Sequence, residues 1–423
     1  RDGFLIEIGP NGFLDNKPST VNLTNEVGLT DQLVPASEAA ARNRLVFLDG
    51  QLRALPTGLL AFLRSNLLTW RGKLSVFAER FRSPRRDDID ESVADFFRRR
   101  IGREATEKLA DAFVTGIYAG DPELLSLRAS FPRLAEMERQ AGSLLKGMAT
   151  AARQRRKEAA ATGMPAGRGN QMWSLRGGLG VLIERLRERL REAPIPQVRV
   201  RRIERRAASG GVPCWTVHAE GHDHWPADAV VLACPAYEQA AILSELDPAL
   251  AEQIYGIPYT RVAVIALGYR RQDVPGSLDG FGYLVPQRDR RDLLGVQWCS
   301  SIFPDRAPPG TVLLRAMCGG WHRGEMVGWD DGRLLKASES ELRLTMGIQS
   351  PPIFHHIIRW ERAIPQYLCG HLDRLRRIEE RVAAFPGLFL TGNCYRGVAL
   401  NDCVERSDEL AQKVVRYLSA SKS

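Results

Sequence analysis

The chain has 423 residues, 44% of them hydrophobic and 26% charged, and 59 basic against 50 acidic residues give a formal net charge of +9. This composition is that of a globular protein with a large core and room for two or three domains. No stretch reaches the roughly 18 consecutive apolar residues of a membrane span. The positive balance suits acidic small molecules, anionic membrane surfaces or nucleic acid, and does not choose among them.

The cysteine pattern argues against a disulfide framework and against a zinc site. Seven cysteines are scattered along the chain without a C-x-x-C pair, which fits a reducing compartment. His222 and His224 flank Asp223, but a polar turn explains them better than metal binding, because no third ligand is near in sequence. We therefore predict no metal site.

The first elements are short. Phe4–Ile8 predicts a strand that ends in a Gly9–Pro10 turn, and 29–34 predicts a short helix. The stretch from Arg44 to Pro56 contains two apolar runs around Asp49–Gly50, which is typical of a tight hairpin.

The next part of the chain is helical. Residues 59–70 predict one apolar, basic and aromatic-edged helix, which suits either burial in its own domain or a membrane interface. Helical spacing recurs over 92–109 and 134–161, and 162–171 is rich in glycine, alanine and proline, as linkers are.

Strands alternate with helices further on. Residues 198–203 and 214–218 predict strands joined by a turn at Gly210–Gly211. Residues 229–236 predict a fully buried strand that leads into a helix, as in parallel or mixed sheets covered on both faces.

The last elements form a strand, a glycine turn and a helix. An apolar run over 388–390 breaks at Gly392–Asn393 and again at Gly397, and helical spacing follows over 404–417. Such a junction presents backbone N–H groups to a phosphate or an electron-rich ring. The spacing alone leaves an ordinary strand–turn–helix connection equally open.

The residues of this junction resemble the closing flavin-binding motif of the protoporphyrinogen oxidases, which belong to the amine-oxidase-like flavoproteins. Four further resemblances follow in the family's order along essentially the whole chain: E-x-G-P at 7–10, N-R-x5-G-x4-L-P at 43–56, G-x-Y-A-G-D at 116–121 and G-F-G-x-L-V-P at 280–286. A fifth, W-x4-P-x-Y-x2-G-H, spans 360–371.

The resemblance implies an α/β chain (α+β overall) with three parts. These are a discontinuous Rossmann-like FAD domain over 1–20, 165–235 and 375–423, a mixed-sheet substrate domain over 21–45 and 236–374, and an all-helical insertion over 46–164 that contacts a membrane.

The resemblance also implies the site residues. The cofactor FAD would be bound by Gly9, Pro10, Val200, Ala233, Pro235, Gly392, Asn393, Gly397, Val398 and Asp402. The substrate would be bound by Arg44, Gly120, Phe281, Leu284 and Met317. Arg44 would face a substrate propionate, because a guanidinium forms bidentate bonds with a carboxylate. No residue is assigned as a catalytic acid or base, since the chemistry belongs to the flavin.

The activity implied is the oxygen-dependent, six-electron oxidation of protoporphyrinogen IX to protoporphyrin IX in haem biosynthesis, by hydride transfer to FAD. A close alternative is the oxidation of coproporphyrinogen III to coproporphyrin III, whose substrate carries four carboxylates. A nucleic-acid binder is disfavoured, because no strand platform combines aromatic and basic residues.

A third alternative is an FAD-deficient remnant that binds a porphyrin or a protein partner. It arises because no G-x-G-x-x-G precedes Gly9, and that fingerprint needs a unit of about 30 residues. We expect either that the chain shown is cropped or that the fingerprint is absent from the protein.

Partners and location follow from the family as well. The resemblance suggests a tetrapyrrole substrate, a membrane surface, ferrochelatase and a second copy of the chain as partners, and no nucleic acid. The expected location is the cytoplasm, with peripheral attachment to the inner face of the cell membrane.

Overall fold

The structure is a computed structural model, and it describes residues 1–162, 171–206, 214–221 and 224–420. The predicted turn at Gly210–Gly211, most of the predicted linker and the pair His222 and Asp223 lie outside the described residues.

The strands alternate with helices along most of the chain. They are β1 Phe13–Leu14, β2 Leu33–Pro35, β3 Arg44–Leu48, β4 Gln51–Ala54, β5 Met172–Leu175, β6 Val200–Arg206, β7 Cys214–Ala219, β8 Trp225–Ala227, β9 Val230–Leu232, β10 Arg261–Arg270, β11 Gly282–Leu284, β12 Leu293–Trp298, β13 Thr311–Gly320, β14 Phe354–Trp360 and β15 Leu388–Leu390.

The α-helices are α1 Ser19–Glu26, α2 Glu38–Arg42, α3 Leu59–Arg64, α4 Trp70–Ala78, α5 Val93–Ile101, α6 Arg103–Ala105, α7 Asp111–Tyr118, α8 Leu127–Ser130, α9 Pro132–Ala141, α10 Leu144–Thr162, α11 Gly180–Glu188, α12 Ala236–Leu243, α13 Pro248–Tyr255, α14 Cys299–Ile302, α15 Asp331–Met346, α16 His371–Val382 and α17 Leu400–Ala420. Residues 106–110 wind as a π-helix between α6 and α7. Within the described residues, no helix combines the length and the apolarity needed to cross a bilayer.

The chain divides into two compact units. The first consists of 1–16, 30–181 and 259–364, and the second consists of 17–29, 182–258 and 365–423.

A seven-stranded mixed sheet forms the centre of the first unit, in the order β14-β10-β13-β12-β11-β3-β4. Only β11 and β3 pair in parallel, while the other neighbours are antiparallel. One face of β10 and β13 forms a core in which Ile265, Leu267 and Leu314 are fully buried. The predicted α/β fold with a mixed sheet is confirmed.

The predicted hairpin is confirmed as well. β3 and β4 pair with Leu48 opposite Gln51, and Asp49 and Gly50 both adopt left-handed backbone angles, with φ of 51° and 79°. Two consecutive left-handed residues are typical of the two-residue turns whose twist matches that of the strands.

Three predicted elements were wrong. Residues 4–8 form no strand, because Phe4 stacks on the Phe354 ring at 4.6 Å instead of extending a ladder. Residues 29–34 form a single turn of 3₁₀-helix that leads into β2. Residues 59–70 contain the whole of α3 and the first residue of α4 instead of one helix, because the Thr69 side chain caps α4 by accepting from the Gly72 N–H.

The second unit contains two small sheets and six of its own helical segments among the described residues: α1, the end of α11, α12, α13, α16 and α17. β9 and β15 pair in parallel, and β6, β7 and β8 form an antiparallel sheet. Trp215 is fully buried and its indole N–H donates to the Pro386 carbonyl at 3.2 Å, which ties the antiparallel sheet to the turn before β15.

A buried ion pair fixes the helices that follow β4 in the first unit. Glu79 and Arg100 are both fully buried and form hydrogen bonds, and Ser143 Oγ and the Leu144 N–H each donate to the Glu79 carboxylate at 2.7 Å. Burial alone would raise the pKa of Glu79, but these bonds outweigh it and hold the pKa below its ordinary value of 4.5.

We predict that Glu79→Gln lowers the free energy of unfolding by about 3 kcal/mol at neutral pH, because Arg100 loses its closest buried counter-charge. A depressed carboxyl pKa stabilises the fold above the unfolded-state value, and this stabilisation disappears as the pH falls. Urea unfolding should therefore show the deficit of the variant shrinking below about pH 4.5.

The matched control is Glu136→Gln. It removes an exposed carboxylate that pairs with Arg139 on α9. It should leave the urea midpoint unchanged. An equal loss in both variants would show that the Glu79 pair has no special role.

Candidate active site

One face of the seven-stranded sheet carries two neighbouring rows of side chains. Residues two apart on a strand point to the same face, so strand register decides which residues share it. The first row is mostly polar and consists of Arg44, Gly282, Gln297, Arg315 and Ala266. The second row is apolar and consists of Val46, Leu284, Gly295, Met317 and Val264. Arg44, Leu284 and Met317, which were predicted separately, therefore lie on one face.

The helix α7 lies against this face. Some of the apolar side chains of the helix remain exposed. A Cβ added at Gly116 would come within 2.8 Å of a Leu284 methyl group, so the glycine permits the close approach of the helix. Phe113 and Ile117 lie three residues before and one residue after Gly116, and remain 43% and 39% exposed. Sequence reasoning missed both residues, although their i, i+3, i+4 spacing with Gly116 places all three on one side of a helix.

Gly120 lies just beyond the C-terminal end of α7. It is buried and follows Ala119, whose backbone is left-handed with φ of 47°. Ala119 packs against Val264 and Met317, and its carbonyl accepts from the Trp321 N–H at 2.8 Å. The predicted Gly120 is thus adjacent in sequence to a residue that contacts the apolar row.

Arg44 stands at the end of the polar row with no ionic partner. Its guanidinium lies over the Phe281 ring at 5.2 Å, which is the range of a cation–π contact. None of the described carboxylates forms an ion pair with it, although the side chain keeps an exposed edge. Desolvation by the surrounding protein lowers the pKa of Arg44. The group stays a cation at neutral pH and has free donors for an anion.

Arg315 occupies the middle of the polar row and was not predicted. It is 8% exposed and donates to the Gly9 carbonyl at 2.7 Å and to Gln297 Oε1 at 3.3 Å. Desolvation lowers the pKa of Arg315 as well. The spacing in the sequence could have identified Arg315. It lies two residues before Met317 on the same strand, and therefore on the same face of the sheet.

The residues before Pro10 are held from several sides. The Glu7 carboxylate accepts from the Leu179 N–H at 2.7 Å and lies 3.4 Å from the buried Arg306 guanidinium. The Trp360 indole N–H donates to the Ile8 carbonyl at 3.0 Å. Together with the Arg315 bond, these contacts fix the backbone that leads to Gly9 and Pro10.

A cavity of about 300 Å³ opens in the second unit, where the parallel strands β9 and β15 end. Ala233, Pro235, Gly392 and Asn393 line it, so four predicted cofactor residues come together. The carboxyl ends of parallel strands are where α/β proteins bind their ligands.

Gln239 ties the two strand ends together. It is fully buried, and its side-chain amide donates to the Cys234 carbonyl at 2.6 Å and to the Thr391 carbonyl at 2.9 Å. The Tyr395 hydroxyl donates to Gln239 Oε1 at 2.6 Å. Sequence reasoning missed Gln239, because an amide in the first turn of a helix carries no sign of these partners.

The remaining predicted cofactor residues lie at three places. Gly397 and Val398 form the turn before α17, and a Cβ at Gly397 would lie 2.3 Å from the Asp402 Cβ. Lys17 forms an ion pair with Asp402 at 2.7 Å. Val200 begins β6 opposite Ala219 and is not among the residues that line the cavity.

The cavity fits the negatively charged diphosphate of a dinucleotide cofactor. Its described lining contains Arg396 and Arg406 and no carboxylate, and the nearby N-terminus of α17 presents backbone N–H groups. Outside the lining, Glu379 pairs with Arg396 at 3.1 Å and Glu409 pairs with Arg406 at 2.8 Å. Among the described residues, no group of three or more histidines, cysteines or acids could hold a metal ion.

Comparisons with known proteins agree with these features. The model of a family described as flavin containing amine oxidoreductase matches residues 1–415. A chloroplastic protoporphyrinogen oxidase of Nicotiana tabacum is 32% identical over 99% of this chain and 78% of its own length. A coproporphyrinogen III oxidase of Bacillus subtilis (strain 168) is 28% identical over 99% of this chain and 88% of its own.

A solved structure extends the likeness to three dimensions. The crystal structure of a proposed protoporphyrinogen oxidase from Exiguobacterium sp. 255-15 matches with a TM-score of 0.79 and 28% identity, over 100% of this chain and 88% of that one. The chain is therefore an FAD-dependent oxidoreductase that belongs to the flavin-containing amine oxidoreductases, within the group of the porphyrinogen-oxidising enzymes.

Proposed function

We propose that the protein oxidises protoporphyrinogen IX to protoporphyrin IX, a six-electron reaction of haem biosynthesis that uses oxygen. The observation that carries the proposal is the apolar row of the sheet face, which lies between α7 and the unpaired cation Arg44. A flat macrocycle with carboxylates at one edge matches this combination of surfaces. The names of the relatives from tobacco and other plants support the same substrate.

In this mechanism, the residues of the chain bind and orient the substrate. Ala233, Pro235, Gly392 and Asn393 would hold FAD, which would supply the hydride acceptor and the reactivity towards oxygen. Leu284, Met317 and Phe281 hold the macrocycle and exclude water from it. Arg44 binds a propionate and so fixes which edge of the ring points inward. No side chain needs to act as an acid or base in this scheme.

The cofactor contacts are part of the proposal. Ala233, Pro235, Gly392 and Asn393 line the cavity of the second unit and would contact FAD directly. Gly397, Val398 and Asp402 would shape the turn before α17, where the diphosphate is expected. Gly9, Pro10 and Val200 are proposed as further contacts.

Coproporphyrinogen III is the second candidate substrate, because relatives from Bacillus subtilis and Propionibacterium freudenreichii carry that activity in their names. It has four carboxylates instead of two. Among the described residues of the polar and apolar rows on this sheet face, Arg44 is the one exposed cation without an ion pair, which favours the substrate with fewer carboxylates. The ratio of kcat/KM for the two porphyrinogens, measured under identical conditions, decides between them.

The domain roles, the location and further partners are proposed on the resemblance. We assign 1–20, 165–235 and 375–423 to cofactor binding, 21–45 and 236–374 to substrate binding, and 46–164 to membrane contact. The prediction that 46–164 is all-helical was wrong for its first residues, which belong to β3 and β4, and it is helical beyond them. The location proposed is the cytoplasmic face of the cell membrane. Ferrochelatase and a second copy of the chain are proposed partners.

The first test is the absorbance spectrum of the protein purified from its natural reading frame. We expect flavin bands that persist through gel filtration and bleach when porphyrinogen is added without oxygen. A purified protein that retains no flavin, even after incubation with FAD, would contradict the oxidase and favour the porphyrin-binding remnant.

We predict that Arg44→Ala raises the KM for protoporphyrinogen by roughly 10- to 100-fold, as expected for losing a charged hydrogen bond of about 1.5–3 kcal/mol. The rate of flavin reduction at saturating substrate should change much less, because Arg44 binds both the substrate and the transition state. Steady-state and stopped-flow kinetics separate the two effects.

Arg42→Ala is the control for this variant, since Arg42 lies two residues earlier and pairs with Glu38 on the surface. Its KM should equal that of the unmodified protein. An unchanged KM in Arg44→Ala would remove Arg44 from the substrate site.

We predict that Gly397→Ala reduces the fraction of protein that retains flavin, because the new methyl group would collide with Asp402 and open the turn before α17. The flavin-to-protein ratio after gel filtration measures the loss. Gly50→Ala is a matched control, since Gly50 is also left-handed but has open space around its Cβ position. Equal flavin content in the two variants would mean that the turn does not bind the cofactor.

A further inference from the structure

The loop between α3 and α4 encloses a cluster of cations. A cavity of about 730 Å³ is lined by Arg53, Arg64, Lys73 and Lys108, and the one carboxylate in its lining is Asp49. None of the residues assigned to substrate or cofactor belongs to this lining. The cluster is therefore a separate feature of the first unit.

The loop backbone turns its carbonyl groups onto these cations. Lys73 is 5% exposed and donates to the carbonyls of Leu63 and Ser65 at 2.7 and 2.6 Å. Lys108 donates to the Leu67 carbonyl at 3.2 Å and pairs with the Glu104 carboxylate at 3.0 Å. Carbonyl groups satisfy the Lys73 donors without neutralising its charge, and the exposed Arg64 adds a second cation without an ion pair among the described residues, so the cavity keeps a positive balance.

Two cations of the cluster keep donors for a further partner. Arg53 donates to the Asn66 carbonyl and pairs with Asp49 at 3.1 Å, but its Nε is buried without a hydrogen bond among the described residues. The guanidinium of Arg64 is exposed and forms no ion pair with a described carboxylate. An anion with several oxygen acceptors would satisfy both groups.

Large apolar side chains stand exposed on the two helices that flank this cavity. Leu59, Leu60, Trp70 and Leu74 are 61%, 70%, 68% and 64% exposed. Trp70 also lines the cavity, and the Lys73 ammonium lies 4.8 Å from its ring centroid. Apolar side chains at the rim of an electropositive cavity match a molecule that joins an anionic group to hydrocarbon.

We propose that this cavity binds the phosphate headgroup of an anionic phospholipid, while the exposed residues of α3 and α4 insert among its acyl chains. The inference rests on the proposed membrane contact and makes it specific for the lipid. A soluble phosphate ester would satisfy the cations but would leave the four apolar side chains in water.

The test is co-sedimentation of the full chain with vesicles of phosphatidylcholine alone and of an equal mixture with phosphatidylglycerol. We expect tighter binding to the mixed vesicles. Arg64→Gln/Lys108→Gln should weaken binding to the mixed vesicles roughly 25-fold, at about five-fold for each cation near the surface, and leave binding to phosphatidylcholine unchanged.

Two controls make the result specific. Lys336→Gln/Arg343→Gln removes the same charge from the exposed side of α15 in the same unit, and should leave binding to both vesicles unchanged. Leu60→Ser/Trp70→Ser should weaken binding to both kinds of vesicle. Thermal unfolding of each variant shows whether a loss of binding reflects a loss of fold.

The results of these experiments distinguish the membrane contact from the headgroup site. No binding to any vesicle would contradict the membrane contact itself. Equal binding to the two kinds of vesicle, or an equal loss in the α15 control, would overturn the headgroup site and leave the membrane contact standing. Stabilisation by sn-glycerol 3-phosphate without vesicles, undiminished in Leu60→Ser/Trp70→Ser, would assign the cavity to a soluble phosphate ester instead.

Discussion

The parallel pairing of β3 with β11 is the constraint on which the substrate face depends. It places Arg44 opposite Gly282 and Val46 opposite Leu284, and the antiparallel strands beyond carry both rows across the sheet. A slip of one residue would move Arg44 to the face that packs as the core. The chain joins β3 and β11 across more than 230 residues, so this one pairing unites motifs that are far apart in sequence.

Two cations on the substrate face of the sheet, Arg44 and Arg315, form no ion pair with a described carboxylate. Several arginines of the helical part pair with nearby acids, as Arg99 does with Glu91 and Glu138. Arg44, which is exposed, and Arg315, which is 8% exposed, do not, and for the buried Arg315 a charge without a counter-charge is costly. A protein tolerates that cost where a bound group supplies the missing acceptor, or where the charge fixes a backbone, as Arg315 fixes the Gly9 carbonyl.

Local patterns in the sequence predicted local structure well. The Asp49–Gly50 turn and the strand before α17 follow from residues that are adjacent in the chain. The strand before α12 is present as β9, but the prediction that it is fully buried was wrong, because Val231 in its middle is 43% exposed. The failures have different causes: over 59–70 a local cap at Thr69 starts a new helix, whereas at 4–8 a distant contact outweighed the local pattern. Residues 4–8 look like a strand, but the stacking of Phe4 on Phe354 gives their apolar side chains a partner that no local pattern reveals.

Motif resemblance identified some residues of the candidate site and missed others. Motif resemblance led to Arg44, Leu284 and Met317, and register places them on one face. It did not lead to Arg315 or Gln239, whose importance lies in the backbone carbonyls they bind rather than in a motif of their own. Both bind a carbonyl group within two residues of a predicted cofactor residue, so each supports backbone that the resemblance had already marked. Residues of this kind become visible only when the hydrogen bonds of a site's backbone are accounted for.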